Sequence, residues 1–162
     1  MRLSYLIVFA LMLSFSACYQ PYYTLSDLPE ERIEFGTGVD GEPTECFTLL
    51  RSGQVLKQNI NLDTFFQVKL LDRSEVRAIF YQRDSIRLLS YDLFDASSDY
   101  MFINQFEPRI EHNISWASTG NKAPESIEYF FDLLIEATRI DAKGKKPLIK
   151  DEKGGKSESF GW

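Results

Sequence analysis

The sequence predicts an α+β domain, an antiparallel sheet of four to five strands with two helices packed on one face. Three observations carry this expectation. Residues 100–106 and 110–116 alternate large apolar with polar side chains on either side of Pro108, as a half-buried hairpin does. Val76, Ile79, Phe80 and Arg83 recur at helical spacing after Asp72, and Ile127, Phe130, Phe131, Leu134 and Ile135 do so after Pro124. Aromatics make up 14% of the chain, which suits a sheet covered by helices.

Ile33 and Phe35 alternate with charge and open a first strand, which is expected to stop at Gly36-Thr37-Gly38, with Gly41 and Pro43 prolonging a glycine-rich loop. Residues 44–50 form the next strand, with Cys46, Thr48 and Leu50 on one face and Glu45, Phe47 and Leu49 on the other. Ser52-Gly53 reads as a hairpin turn into a strand over residues 54–60. Residues 65–70 are a further strand or a lead-in. Asp72 with Glu75 makes a capping box for the first helix, with Arg73, Arg77 and Gln82 turned outward. Residues 86–94 are apolar without a decisive period. In the hairpin, Tyr100, Phe102 and Phe106 oppose Met101, Ile103 and Gln105, residues 107–109 make the turn, and Ile110, His112, Ile114 and Trp116 share a face. Pro124 suits the first position of the second helix, and Glu125 and Glu128 its positive end.

Both ends of the chain differ from this domain. Arg2 and the apolar run over residues 3–15 have the charge and length of a secretory leader, too short to span a bilayer comfortably. The leader closes on Phe15-Ser16-Ala17-Cys18, which resembles the bacterial lipobox with Phe15 in place of the usual leucine. That resemblance implies cleavage before Cys18 and acylation of its sulfur, and two or more acyl chains hold a protein stably on a membrane. Without aspartate after Cys18 an outer-membrane lipoprotein is expected, and without acidic residues over 19–23 one that faces the periplasm. The predicted organisation is a signal peptide over residues 1–17, a lipid-anchored tether over 18–31, a single domain over 32–140 and a charged flexible tail over 141–162.

Composition narrows the chemistry. The chain carries a net charge of −6, with no lysine–arginine stripe, which argues against a nucleic-acid partner. With Cys18 lipidated, Cys46 is left without a disulfide partner and is expected to be buried. His112 is the only histidine, and its alternation with Ile110 and Ile114 predicts a hydrogen-bonded structural role. Cys46 and His112 do not make a zinc set, so no metal or cofactor is expected. Asp92, Asp95 and Asp99 lack the glycine and terminal glutamate of an EF-hand and read as a solvated loop. The glycines at 36–41 have neither a following helix nor a lysine and are a turn rather than a phosphate loop. Asn113-Ile114-Ser115 fits a glycosylation sequon that a bacterial envelope makes incidental, and nothing resembles a nucleophile elbow.

The run FGTGVDGEPTECFTLLRSG, the later EHNISW and the helix opened by Pro124 resemble a group of small uncharacterised lipoproteins of Bacteroidetes-type bacteria over about residues 33–139. In strand order the chain is more faintly similar to emfourin-type metallopeptidase inhibitors, with Gly36, Gly38 and Gly41 standing where that family has a compact G-G-F-x-G run. The first resemblance implies an envelope lipoprotein and the second a restrained peptidase; neither carries inhibitory or catalytic residues onto this sequence. The expected function is a non-catalytic binding module for an envelope protein partner, through Gly36, Gly38, Val39 and Gly41 at the loop, or through Phe160 and Trp162 in the tail. The alternatives are a peptidase inhibitor, an unrecognised enzyme and a passive structural lipoprotein.

Overall fold

The computed structural model describes residues 23–119 and 122–139. The leader, the proposed lipidation site Cys18, and the tail with Phe160 and Trp162 lie outside the described residues. The described elements are β1 (Tyr23–Thr24), β2 (Arg32–Val39), β3 (Glu42–Leu50), β4 (Gln54–Asn59), β5 (Thr64–Leu70), α1 (Arg73–Ser85), β6 (Asp99–Glu107), β7 (Ile110–Ala117) and α2 (Glu125–Thr138). Short 3-10 turns occupy Leu25–Asp27 and Leu88–Ser90.

The α+β class holds, but the sheet has seven strands rather than four to five, in the order β1-β5-β4-β3-β2-β6-β7. Every neighbouring pair is antiparallel. Residues 64–70 are a full strand against β4, and Tyr23–Thr24 add to its far side. The domain thus takes in part of the segment read as tether. Tyr23 packs against a cluster of Leu28, Leu50, Leu56 and Phe65.

The expected stop at Gly36-Thr37-Gly38 is also corrected. β2 runs through all three residues to Val39, paired with β3 on one side and β6 on the other. The loop shrinks to Asp40-Gly41, whose φ values of 50° and 86° belong to a tight two-residue hairpin. Pro43 lies inside β3, beside a register shift at Thr37/Gly38 where the ladder is irregular. The glycines serve close packing. A Cβ at Gly36 would stand 1.9 Å from the Glu45 carbonyl oxygen, and one at Gly38 would stand 2.3 Å from the Tyr100 ring. Tyr100 is the cross-strand partner of Gly38, so the ring covers the place a side chain would fill.

The main core lies between one sheet face and both helices. Ile33, Phe35, Phe47, Leu49, Val55, Ile103, Ile114 and Trp116 meet Val76, Ile79 and Phe80 of α1 and Ile127, Phe130, Phe131, Leu134 and Ala137 of α2. Trp116 and Phe131 meet edge to face, with centroids 5.4 Å apart. The other face is not simply solvated. Cys46, Tyr100 and Phe102 are buried there with Ala96 against them. Residues 86–94, which periodicity leaves open, hold only the short 3-10 turn at Leu88–Ser90 and an isolated bridge from Phe94 to Ser115. Arg87 leaves helical geometry at φ 52°, and the chain then wraps the outer edge of β7. Ser115 N donates to Leu93 O at 3.0 Å and accepts at its carbonyl from Asp95 N at 3.1 Å. This bridge blunts a sheet edge that would otherwise be open to pairing.

Candidate functional site

Three places were legible or became legible as candidate sites, and the structure separates them. The first is the glycine segment. Gly36 and Gly38 are buried within β2 and offer no surface. Only Val39, 41% exposed, and the Asp40-Gly41 turn project at this end of the sheet. The nearby Tyr100 hydroxyl is pushed upward in pKa by burial first and by Glu42 second.

The second is His112. It pairs across the hairpin with Gln105, on the face expected to be core. The ring is half-buried, and its buried Nε2 finds no hydrogen-bond partner, contrary to the expected bonded histidine. Gln105 is only 2% exposed and its Oε1 is likewise unpartnered, while its Nε2 donates to Glu107 Oε1 at 2.7 Å. The same carboxylate lies 3.0 Å from Arg83 Nη1, close enough for ion pairing although too poorly aligned for a hydrogen bond. Arg83 is completed by Asp84, which accepts from its Nε at 2.8 Å and lies 2.7 Å from its Nη2. Its side chain is 5% exposed. Among the described residues no carboxylate orients the His112 ring, and no nucleophile is bonded to it. The cluster ties α1 to the β6–β7 hairpin through Arg83 and Glu107. Among the described residues no group of three or more His, Cys, Asp or Glu could hold a metal ion.

The third place was not foreseen. It is a groove of about 440 Å³ along α1, where the helix faces the β3–β4 turn. Local geometry builds it. Asp72 caps α1 by accepting from the amides of Ser74 at 2.8 Å and Glu75 at 3.0 Å, and the Glu75 carboxylate accepts from Asp72 N at 2.8 Å. Gly53, at φ 93°, donates to Leu50 O at 2.9 Å and accepts from Leu71 N at 2.8 Å. A Cβ on Gly53 would meet Leu71 O at 2.6 Å and Val76 at 3.2 Å, so glycine lets the turn sit against the start of the helix. Arg51 and Ser52 of the turn thereby face Arg73 and Arg77 of the helix, over Val76 and Phe80.

The arginines are held differently. Arg51 lays its guanidinium on the Phe80 ring, 4.2 Å from the centroid, and its Nε donates to Glu31 at 2.6 Å. Arg83 approaches the same ring at 5.0 Å. Arg73 and Arg77 are exposed and have no hydrogen bond or ion pair among the described residues. Tyr81, 72% exposed, continues their stripe, and Asp84 closes the far end with its charge already engaged by Arg83. The pattern of Arg73 and Arg77 four residues apart was visible in the sequence, but it reads as an ordinary solvated face. Only the hairpin turn brings Arg51 opposite them.

Among the described residues no helix is long and apolar enough to cross a membrane. No protein-family model matches the chain, and no curated protein matches it.

Proposed function

We propose that this chain is a lipid-anchored bacterial envelope protein that acts by non-catalytic binding of a protein partner, and that the α1 groove is its recognition surface. The observation that carries the binding reading is the pair Arg73 and Arg77, without partners among the described residues, beside the apolar Val76–Phe80 floor on a chain of net charge −6. Unpaired cations gathered at a concave, partly apolar surface are what a binding site needs and what folding alone does not require. The anchor is supported by the lipobox-like Phe15-Ser16-Ala17-Cys18, the outer membrane by the absence of aspartate after Cys18, and the periplasmic face by the absence of acidic residues over 19–23.

A second reading keeps the contact at the β2–β3 turn, because Val39 is exposed there outside either apolar cluster. Photo-cross-linkers placed singly at Tyr81, Val39 and Trp162 in intact cells separate the readings. Capture of one defined partner from Tyr81, lost on substitution of Arg73 and Arg77, supports the groove. Capture from Val39 or Trp162 alone moves the site to the turn or the tail, and capture from none leaves a passive structural lipoprotein. Anchoring is tested by labelling with a palmitate analogue, where equal labelling of wild type and Cys18→Ala removes the lipidation reading.

A further inference from the structure

We propose that the groove takes an extended acidic segment of its partner, with carboxylates at alternate residues seated on Arg73 and Arg77 and an apolar side chain on the exposed Tyr81 ring. This rests on the reading of the groove as the recognition surface. The spacing is the first argument. Arg73 and Arg77 are four helical residues apart, a rise of about 6 Å, and Tyr81 lies about the same distance further on. Side chains two residues apart on an extended peptide share a face and are separated by about 6.6 Å. An acidic–x–acidic–x–apolar segment therefore matches the stripe position for position.

The chemistry of the groove follows the same polarity. Two arginines without partners among the described residues occupy one half, and the exposed ring of Tyr81 the other. Arg51 stacks across the groove on Phe80 with its charge met by Glu31, which leaves Arg73 and Arg77 as the cations for a ligand. At the far end Asp84 is already paired with Arg83, and the third place of the stripe is the Tyr81 ring, so the stripe presents cations to two groups and an aromatic surface to the next.

The chain's own flanks do not supply such a segment. Residues 1–22 contain no acidic side chain, and residues 140–162 carry six lysines against four carboxylates. Neither complements the arginines, which favours an occupant on another molecule. An anionic bilayer is disfavoured because the acidic domain is repelled from it and the arginines line a concavity rather than a flat patch.

The test is an NMR titration of the full chain in detergent micelles, following the arginine Nε–H signals. The probe is the peptide Glu-Ser-Glu-Ser-Leu, blocked at both ends, together with its reverse; the controls replace each Glu by Gln. The acidic peptide is expected to shift Arg73 and Arg77. Loss of both exposed ion pairs in Arg73→Gln/Arg77→Gln should weaken binding about ten-fold. Arg87→Gln, an exposed arginine outside the groove, should bind as wild type does. Equal binding of the Gln peptides, insensitivity to the double substitution, or stronger binding of phosphatidylglycerol vesicles than of peptide overturns the proposal. If the acidic peptides fail while Tyr81 still cross-links a partner in cells, the peptide chemistry is wrong and the groove reading stands. If Tyr81 captures nothing as well, both fall.

Discussion

Replacing Gly36 and Gly38 by alanine tests whether this segment is a packed strand or a surface loop. At Gly36 the new methyl would sit 1.9 Å from the Glu45 carbonyl oxygen, against an ordinary contact of 3.4 Å or more. Because the obstacle is backbone, relief requires β2 and β3 to part by about 1.5 Å, which breaks local ladder hydrogen bonds that are each worth about 1 kcal/mol net. It also strains the stack of Phe35 on Phe47, whose centroids lie 5.8 Å apart. The smaller unfolded-state entropy of alanine returns roughly 0.4–1 kcal/mol. The net expectation for Gly36→Ala is a loss of about 2–4 kcal/mol, or about 4 °C in Tm for each kcal/mol. At Gly38 the obstacle is the distal part of the Tyr100 ring, which can swing aside, so the net loss should be about 1–2 kcal/mol. It should also couple to Tyr100: in a cycle with Tyr100→Leu, the second substitution should cost less in the presence of the first. Urea denaturation measures all four proteins. A Gly36→Ala protein within about 0.5 kcal/mol of wild type, or no coupling between Gly38 and Tyr100, would refute the close-packed strand and restore the loop.

Three further outcomes follow from other parts of the fold. Asp72→Ala removes the acceptor of the first α1 amides and should cost about 1 kcal/mol in urea denaturation, with Asp72→Asn retaining most of the stability. Arg83→Leu leaves the part-buried Glu107 without its cation, while the exposed Asp84 is hydrated, and should cost about 2 kcal/mol; the Arg83→Leu/Glu107→Gln double variant should recover part of it, and an additive double variant would exclude the ion pair. Burial first, and Glu34 second, push the Cys46 thiol from 9.0 up to about 12. The folded chain therefore holds this proton more tightly than the unfolded chain. The contribution is intact below pH 9 and falls by up to about 1.4 kcal/mol per pH unit as pH rises toward 12. In a Cys18→Ala protein, iodoacetamide should leave Cys46 unmodified below pH 9 until the domain unfolds, and rapid alkylation of the folded protein would contradict this burial.

Where local chemistry decides the backbone, the sequence alone was sufficient. The Asp72–Glu75 capping box, the Ser52-Gly53 turn, the alternating faces of residues 44–50 and the β6–β7 hairpin all stand as expected, because each depends on neighbours within a few residues. So does burial of Val76, Ile79, Phe80 and Arg83, which helical periodicity places on one stripe. What failed depended on partners distant in the chain. Glycine at 36 and 38 looks the same in sequence whether it frees a loop or admits a neighbouring carbonyl and a tyrosine ring, and only β3 and β6 on either side distinguish the two. Tyr23–Thr24 are too few to signal a strand until β5 lies alongside, and residues 86–94 have no period because they wrap an edge that no local pattern encodes. The groove belongs to the same class. Arg73 and Arg77 are a solvated face on an isolated helix, and become one wall of a cavity only because Gly53 lets the turn bearing Arg51 dock against Val76. Much of the secondary structure followed from short-range sterics and hydrogen bonding, whereas the groove was decided by the long-range packing of a turn against a helix.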